Sequence, residues 1–219
     1  WRINDLAAYR RLHAVLATRP QRVLIVGAGL VGCELANDLA LGGHDITLID
    51  VQPRPLAALL PELASQRLLD AWASLPISFA GGVQVTAVEA DADGTRRVTL
   101  ADGRTLVADQ VIAATGLAAP DRLARGAGLA FDPGCGGIVV EAATLRTSHP
   151  DIHALGDCVA IDGRASRFIE PIGRQARAIA SAITADGDTH AAYVPQAVPL
   201  RIKTGSLPIT IQGAACRDG

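Results

Sequence analysis

Three observations predict an α/β fold with a parallel sheet and an attached antiparallel meander. An apolar run at residues 23–26 passes through Gly27-Ala-Gly29-Leu-Val-Gly32 into a stretch with Leu35, Ala36, Leu39 and Ala40 at helical spacing. A second apolar run, 45–49, ends in Asp50. Short alternating runs separated by turn residues then occupy 83–107, the signature of paired strands.

The elements follow in order. Leu6, Tyr9, Leu12, Val15 and Leu16 repeat at helical spacing, Asn4 or Asp5 can cap the start and Pro20 closes the segment, so residues 1–20 read as a linking helix. Residues 21–117 read as one domain: strand 23–26, a helix ended by Gly42-Gly43, and strand 45–49. A proline-punctuated loop leads to a helix over 61–75 carrying Leu63, Leu68, Leu69 and Trp72, then a strand at 77–79. The meander occupies 83–89, 97–100 and 105–107, with the turn Ala101-Asp-Gly103 inside it, and 110–114 is an apolar buried strand that leaves through Ala114-Thr115-Gly116. In the second domain, 118–190, a strand at 137–141 is followed by Leu145-Arg-Thr147 and by a short strand at 152–155 that delivers Gly156-Asp157. A helix over 171–183 comes next, with Ile172, Ala176, Ile179, Ala180 and Ile183 on one side and Pro171 in its first turn. Residues 191–219 read as the start of a short interface segment.

The glycine pattern has a chemical reading. Gly27 allows a tight turn, Gly29 lets the backbone approach a pyrophosphate, and Gly32 lets the helix pack closely on the strand, so that the helix N-terminus offers its N–H groups to the phosphates. Leu30 opens that helix. Asp50, at the end of the second strand, sits where a carboxylate accepts hydrogen bonds from both hydroxyls of an adenosine ribose, which favours NADH over NADPH. Arg54, four residues on, has two readings: a grip on a 2′-phosphate, or a solvated loop arginine, with Asp50 repelling the phosphate. Glu34 has two as well: a carboxylate favoured by the helix dipole, or a contact with the nicotinamide end of the cofactor. Asp157 is placed at a strand's C-terminal end, where ligands of open α/β sheets lie, with Gly156 permitting close approach.

Composition narrows the classes. The chain has 219 residues, 49% hydrophobic and 3% aromatic, with a formal charge of -2, which argues against a nucleic-acid partner. It has no run of about 18 apolar residues for a membrane span and no secretory pattern, so a cytoplasmic protein is expected. Cys33, Cys135, Cys158 and Cys216 are scattered without a C-x-x-C pair, and His149 and His153 have no ligand partner at metal spacing; neither a redox disulfide nor a metal is signalled. Of the 20 Lys and Arg, Lys203 is the single lysine, a bias typical of GC-rich bacterial genes that also makes Lys203 stand out. The chain starts at Trp1 and contains no methionine, the pattern expected of a piece of a longer protein.

With these residues in place, the chain resembles the glutathione-reductase-like superfamily of FAD-dependent pyridine nucleotide oxidoreductases over nearly its whole length. The spacing from Gly27 to Glu34 matches the inserted nicotinamide domain of that family, and the run from Thr147 to Gly156-Asp157 matches the returning flavin segment. Gly32-Cys-Glu-Leu-Ala-Asn-Asp-Leu39, the run from Leu145 to Cys158 and Arg201-Ile-Lys-Thr204 are most similar to the rubredoxin reductases.

The resemblance implies a Rossmann-like NAD(H)-binding domain followed by the returning part of an FAD-binding domain. It implies electron flow from NADH through FAD to rubredoxin or a similar small iron protein, with no protein acid, base or nucleophile. NADH would lie on Gly27, Gly29, Leu30, Gly32, Glu34, Asp50 and Gly116. FAD would lie on Gly156, Asp157 and the helix start at Pro171, with Lys203 near it. The leading glycine fingerprint that cradles the ADP of FAD is not among these residues, so the fragment is expected to be inactive alone. Alternatives are another reductase of the superfamily (ferredoxin-, nitrite- or disulfide-linked) and an NADH-binding module without catalysis. Arg164, Arg167, Arg174 and Arg177 crowd the proposed flavin edge, either as a solvated face or as an attractor for an acidic iron protein.

Overall fold

A computed structural model describes residues 1–185, 191–197 and 199–213. The fold divides into two units, Trp1–Gly116 with Pro199–Gly219, and Leu117–Val198.

The first unit opens with helix α1 (Leu6–Leu16), whose cap is Asp5: its Oδ1 accepts the Ala8 N–H at 2.7 Å. Strand β1 (Arg22–Val26), helix α2 (Leu30–Leu41), strand β2 (Asp45–Ile49), helix α3 (Glu62–Trp72) and strand β3 (Ile77–Ala80) follow. A meander of β4 (Val85–Ala90), β5 (Arg96–Leu100) and β6 (Thr105–Ala108) leads to β7 (Gln110–Ala113). The main sheet runs β3-β2-β1-β7, parallel throughout, with Val23 opposite Ile46 and Gln110. The antiparallel meander forms its own sheet.

Alternation along β1 explains the layering. Val23 and Ile25 point into a core shared with Cys33, Ala36 and Ala40 of α2, Leu68 and Trp72 of α3 and Leu12 of α1, whereas Leu24 points to the opposite side, against Val98 and Leu100 of the meander. The parallel strands are therefore covered on both faces. At the β1–β7 edge, Asp109 receives the backbone N–H of Arg22 at 2.8 Å and its guanidinium at 3.1 Å, and this Arg22 contact holds the Asp109 carboxyl down at about 2.

The second unit contains α4 (Arg122–Gly126), β8 (Phe131–Asp132), β9 (Gly137–Val139), β10 (Val159–Ile161), β11 (Arg164–Ala165) and α5 (Glu170–Thr184). Its sheet runs β11-β10-β9-β8, with β9 and β10 parallel. Its core joins Val140, Leu145, Val159, Ala178 and Tyr193.

Two expectations are corrected. The strand expected at 152–155 reduces to one antiparallel bridge, Arg146 to His153, flanked by the Thr147–Ile152 and Ala154–Leu145 main-chain bonds, because the chain turns directly after Leu155 into a 3-10 turn, Gly156–Cys158, which holds Gly156-Asp157 rather than a strand end. On α5 the buried stripe is Pro171, Gln175 and Ala178, while Ala176, Ala180 and Ile183 face outward, since Gln175 finds a backbone partner inside. After Pro199 come the strands β12 (Leu200–Ile202) and β13 (Ile209–Ile211), grouped with the first unit. They pair with each other and return to the first unit, where Ile202 fills its core and Leu207, Ile209 and Ile211 pack against it. Cys216 lies outside the described residues.

Candidate functional site

The glycine loop joins β1 to α2. Gly27 sits at φ +107°, its N–H donating to the Ile49 carbonyl at 2.7 Å, and an added Cβ would stand 2.5 Å from the Ala114 carbonyl oxygen. Gly32 is still more constrained, because a Cβ there would lie 1.8 Å from the Gly27 oxygen. Gly29 differs: nothing of the protein lies within 4 Å of its would-be Cβ. Its lack of a side chain answers no packing demand inside the protein.

Gly29 is also the N-cap of α2, and no side chain caps that helix. The first N–H groups of a helix have no intrahelical acceptor, so α2 begins with donors and partial positive charge over open space. That arrangement suits an anionic group brought close to the main chain.

Asp50 is bound into the same loop. Its Oδ2 accepts the Ala28 N–H and its Oδ1 accepts the Gln52 N–H at 2.7 Å. The Ala28 carbonyl takes the Leu56 N–H at 2.9 Å and the Cys33 thiol at 3.3 Å. Ala28 is thus the junction between glycine loop, acidic strand end and the following loop, a role no sequence signal marked. Arg54 follows neither of its two expected roles: it turns inward, donating to the Leu60 carbonyl and to Ser65 Oγ at 3.3 Å. Burial, with Asp50 and Glu34 adding repulsion, pushes the Cys33 thiol up to about 12, so it acts as a small apolar filler.

Glu34 lies on the second turn of α2, and its Oε1 accepts the main-chain N–H of Lys203 at 2.8 Å. Lys203 therefore enters the first unit through its backbone, with an exposed side chain. Leu30 is half-buried against the core, and Gly116, at φ +99°, follows Ala114 and Thr115 beyond β7. Gly27, Gly29, Leu30, Gly32, Glu34, Asp50, Gly116 and Lys203 all belong to the first unit, whereas Gly156, Asp157 and Pro171 belong to the second.

In the second unit Gly156 stands at φ +78° and its N–H donates to Gln175 Oε1 at 2.8 Å. This contact fixes the turn that presents the exposed Asp157 carboxylate. Gln175 was missed from sequence; a lone amide between apolar neighbours of an amphipathic helix was the available signal. The start of α5 carries Pro171 in its first turn and no side-chain cap. Of the four arginines, Arg167 donates to the Cys135 and Gly136 carbonyls at 3.0 and 3.3 Å and Arg174 pairs with Glu170, while Arg164 and Arg177 are exposed. No helix among the described residues is long and apolar enough to cross a membrane.

Parallel sheet, tight glycine turn, uncapped helix start and acidic strand end together define a Rossmann-like α/β protein. The chain belongs to the pyridine nucleotide-disulphide oxidoreductase family, which matches residues 4–187. It is 40% identical over 211 residues to the rubredoxin-NAD(+) reductase of Acinetobacter baylyi, covering 95% of this chain and 52% of that protein. It is 41% identical over 211 residues to the nitric oxide reductase FlRd-NAD(+) reductase of Aeromonas hydrophila, covering 96% and 52%. A crystal structure of an FAD-dependent pyridine nucleotide-disulphide oxidoreductase from Desulfovibrio vulgaris is 29% identical, with a TM-score of 0.76 over 92% of this chain and 51% of that one. The chain spans about half the length of the curated relatives it matches.

Proposed function

We propose that this chain is the NADH-binding and partial flavin-binding portion of a reductase that passes electrons from NADH through FAD to rubredoxin or a similar small iron protein. The observation that carries this reading is the uncapped start of α2 over open space at Gly29, with Asp50 hydrogen-bonded to the same loop. The relatives named for rubredoxin and flavorubredoxin reduction support the choice of acceptor.

In this reading the α2 N–H groups and Gly29 hold the pyrophosphate, and Asp50, fixed by the Ala28 and Gln52 N–H groups, turns its remaining lone pairs to the ribose hydroxyls. Glu34 orients the nicotinamide end. Asp157, presented by the Gly156 turn that Gln175 fixes, would hold ribitol hydroxyls, and the uncapped start of α5 would supply donors that stabilise negative charge on the reduced ring. The exposed carboxylate, the positive-φ glycine beside it and the uncapped helix start fit that part of FAD. When bound, FAD supplies the conversion between two-electron and one-electron transfer. The protein's work is binding and positioning.

Calorimetric titration of the Asp50→Ala chain tests the reading. Loss of charge-assisted hydrogen bonds worth about 1.5–3 kcal/mol should weaken NADH about ten- to a hundredfold, with NADPH losing less or gaining. Unchanged NADH affinity refutes it.

A further inference from the structure

One face of α2 carries Glu34, Asn37 and Leu41, and the turn between β12 and β13 is fastened along it. Lys203 N–H donates to Glu34 Oε1 at 2.8 Å. Ser206 gives both its main-chain N–H, at 3.3 Å, and its hydroxyl to Asn37 Oδ1, which also accepts the Trp72 indole N–H at 3.3 Å. Gly205 passes so close that a Cβ would stand 3.4 Å from both Asn37 Nδ2 and Leu41 Cδ1.

Thr204 closes this turn on itself. It is fully buried, its hydroxyl donates to the Leu207 carbonyl, and the Leu207 N–H returns to the Thr204 carbonyl at 3.2 Å. Beside it, Ile202 is sealed in the core. A glutamate side chain on a helix surface has three rotatable bonds, whereas a main-chain N–H held between a buried isoleucine and a buried threonine has a fixed direction. The donor therefore chooses the rotamer of the carboxylate.

We propose that the hairpin β12–β13 is the positioning element of the nicotinamide-end subsite: the Lys203 main-chain N–H holds Glu34 in place, and Thr204 is the positioning residue that keeps Lys203 there. The inference rests on the reading of the α2 start and Asp50 as an NADH site with Glu34 toward the nicotinamide. It assigns a part in NADH recognition to a segment that makes no contact with the glycine loop's own hydrogen bonds.

The test is calorimetric titration of the chain with NADH and with ADP-ribose, which lacks the nicotinamide. Glu34→Ala and Thr204→Val should each weaken NADH about tenfold, the scale of one hydrogen bond to a charged group, and leave ADP-ribose within about twofold. The double variant should match the singles, since both remove the same contact. Thr204→Ser should restore NADH affinity, which a general loss of packing would not allow. The inference is overturned if Thr204→Val leaves NADH affinity unchanged, weakens both ligands equally, or multiplies with Glu34→Ala. If ADP-ribose does not bind the unaltered chain, the dinucleotide reading fails first and the inference with it.

Discussion

Gly29 and Gly32 lie three residues apart at the start of α2, yet replacing each by alanine should damage different properties. At Gly32 the new Cβ would stand 1.8 Å from the Gly27 oxygen, where contacts under 3.0 Å do not occur, so helix and loop must separate by about 1.2 Å. Overpacking of this kind costs up to about 3 kcal/mol, which at roughly 2–4 °C per kcal/mol for a chain of this size lowers Tm by about 6–12 °C. At Gly29 the backbone is extended (φ −77°, ψ −167°) and the Cβ meets nothing, so only N-cap preference is lost, under about 1 kcal/mol. The same methyl occupies the phosphate's approach, forfeiting charge-assisted bonds of about 1.5–3 kcal/mol and weakening NADH ten- to a hundredfold. Thermal unfolding and calorimetric titration of both variants separate the effects. Unimpaired NADH affinity in Gly29→Ala, or an unchanged Tm in Gly32→Ala, would refute the assignment of these glycines.

Other outcomes follow from particular contacts. Asp109, held at about 2 by Arg22, contributes stability that is complete above its unfolded value near 4 and is lost as pH falls from there toward 2; because Arg22 is half-exposed, solvent screening reduces that contribution to about 1 kcal/mol. Urea unfolding of Asp109→Asn against the unaltered chain should show that gap at pH 7 and a narrowing toward pH 2. Cys33, raised to about 12, should stay unmodified by iodoacetamide at pH 8 until the chain is unfolded, as peptide mapping would reveal. On the proposed function, Arg164→Glu with Arg177→Glu in the FAD-loaded reductase should slow iron-protein reduction at low salt and leave flavin reduction by NADH almost unchanged, whereas equal loss in both half-reactions would assign these arginines to the fold.

Regular elements of the first unit were legible because burial and periodicity agree there. The predicted strand 45–49 is β2, and the Asp5 cap and the Gly42 stop bound helices as expected. The second unit was less legible, since its strands are two or three residues long and set by tertiary pairing rather than by local pattern. Individual site residues followed the same division. The roles of Gly27 and Gly32 follow from backbone sterics that any sequence with this turn must obey. Arg54 and Lys203 did not, because which acceptor a long cationic residue or its main chain meets depends on segments distant in sequence.

The return of residues 199–213 to the first unit has a consequence for how the protein is made. The bond between Ala28 and Asp50 spans 22 positions, that between Lys203 and Glu34 spans 169, about three doublings more. At about 0.6 kcal/mol per doubling, closing the longer loop costs nearly 2 kcal/mol of additional chain entropy. On the ribosome the glycine loop and its acidic anchor can assemble while the intervening residues are still being synthesised, but the α2 surface stays uncovered until Ile202 has emerged. Strands β12 and β13 thus complete a core begun by β1, and nascent chains stopped before residue 202 would expose that apolar slot to chaperones and proteases.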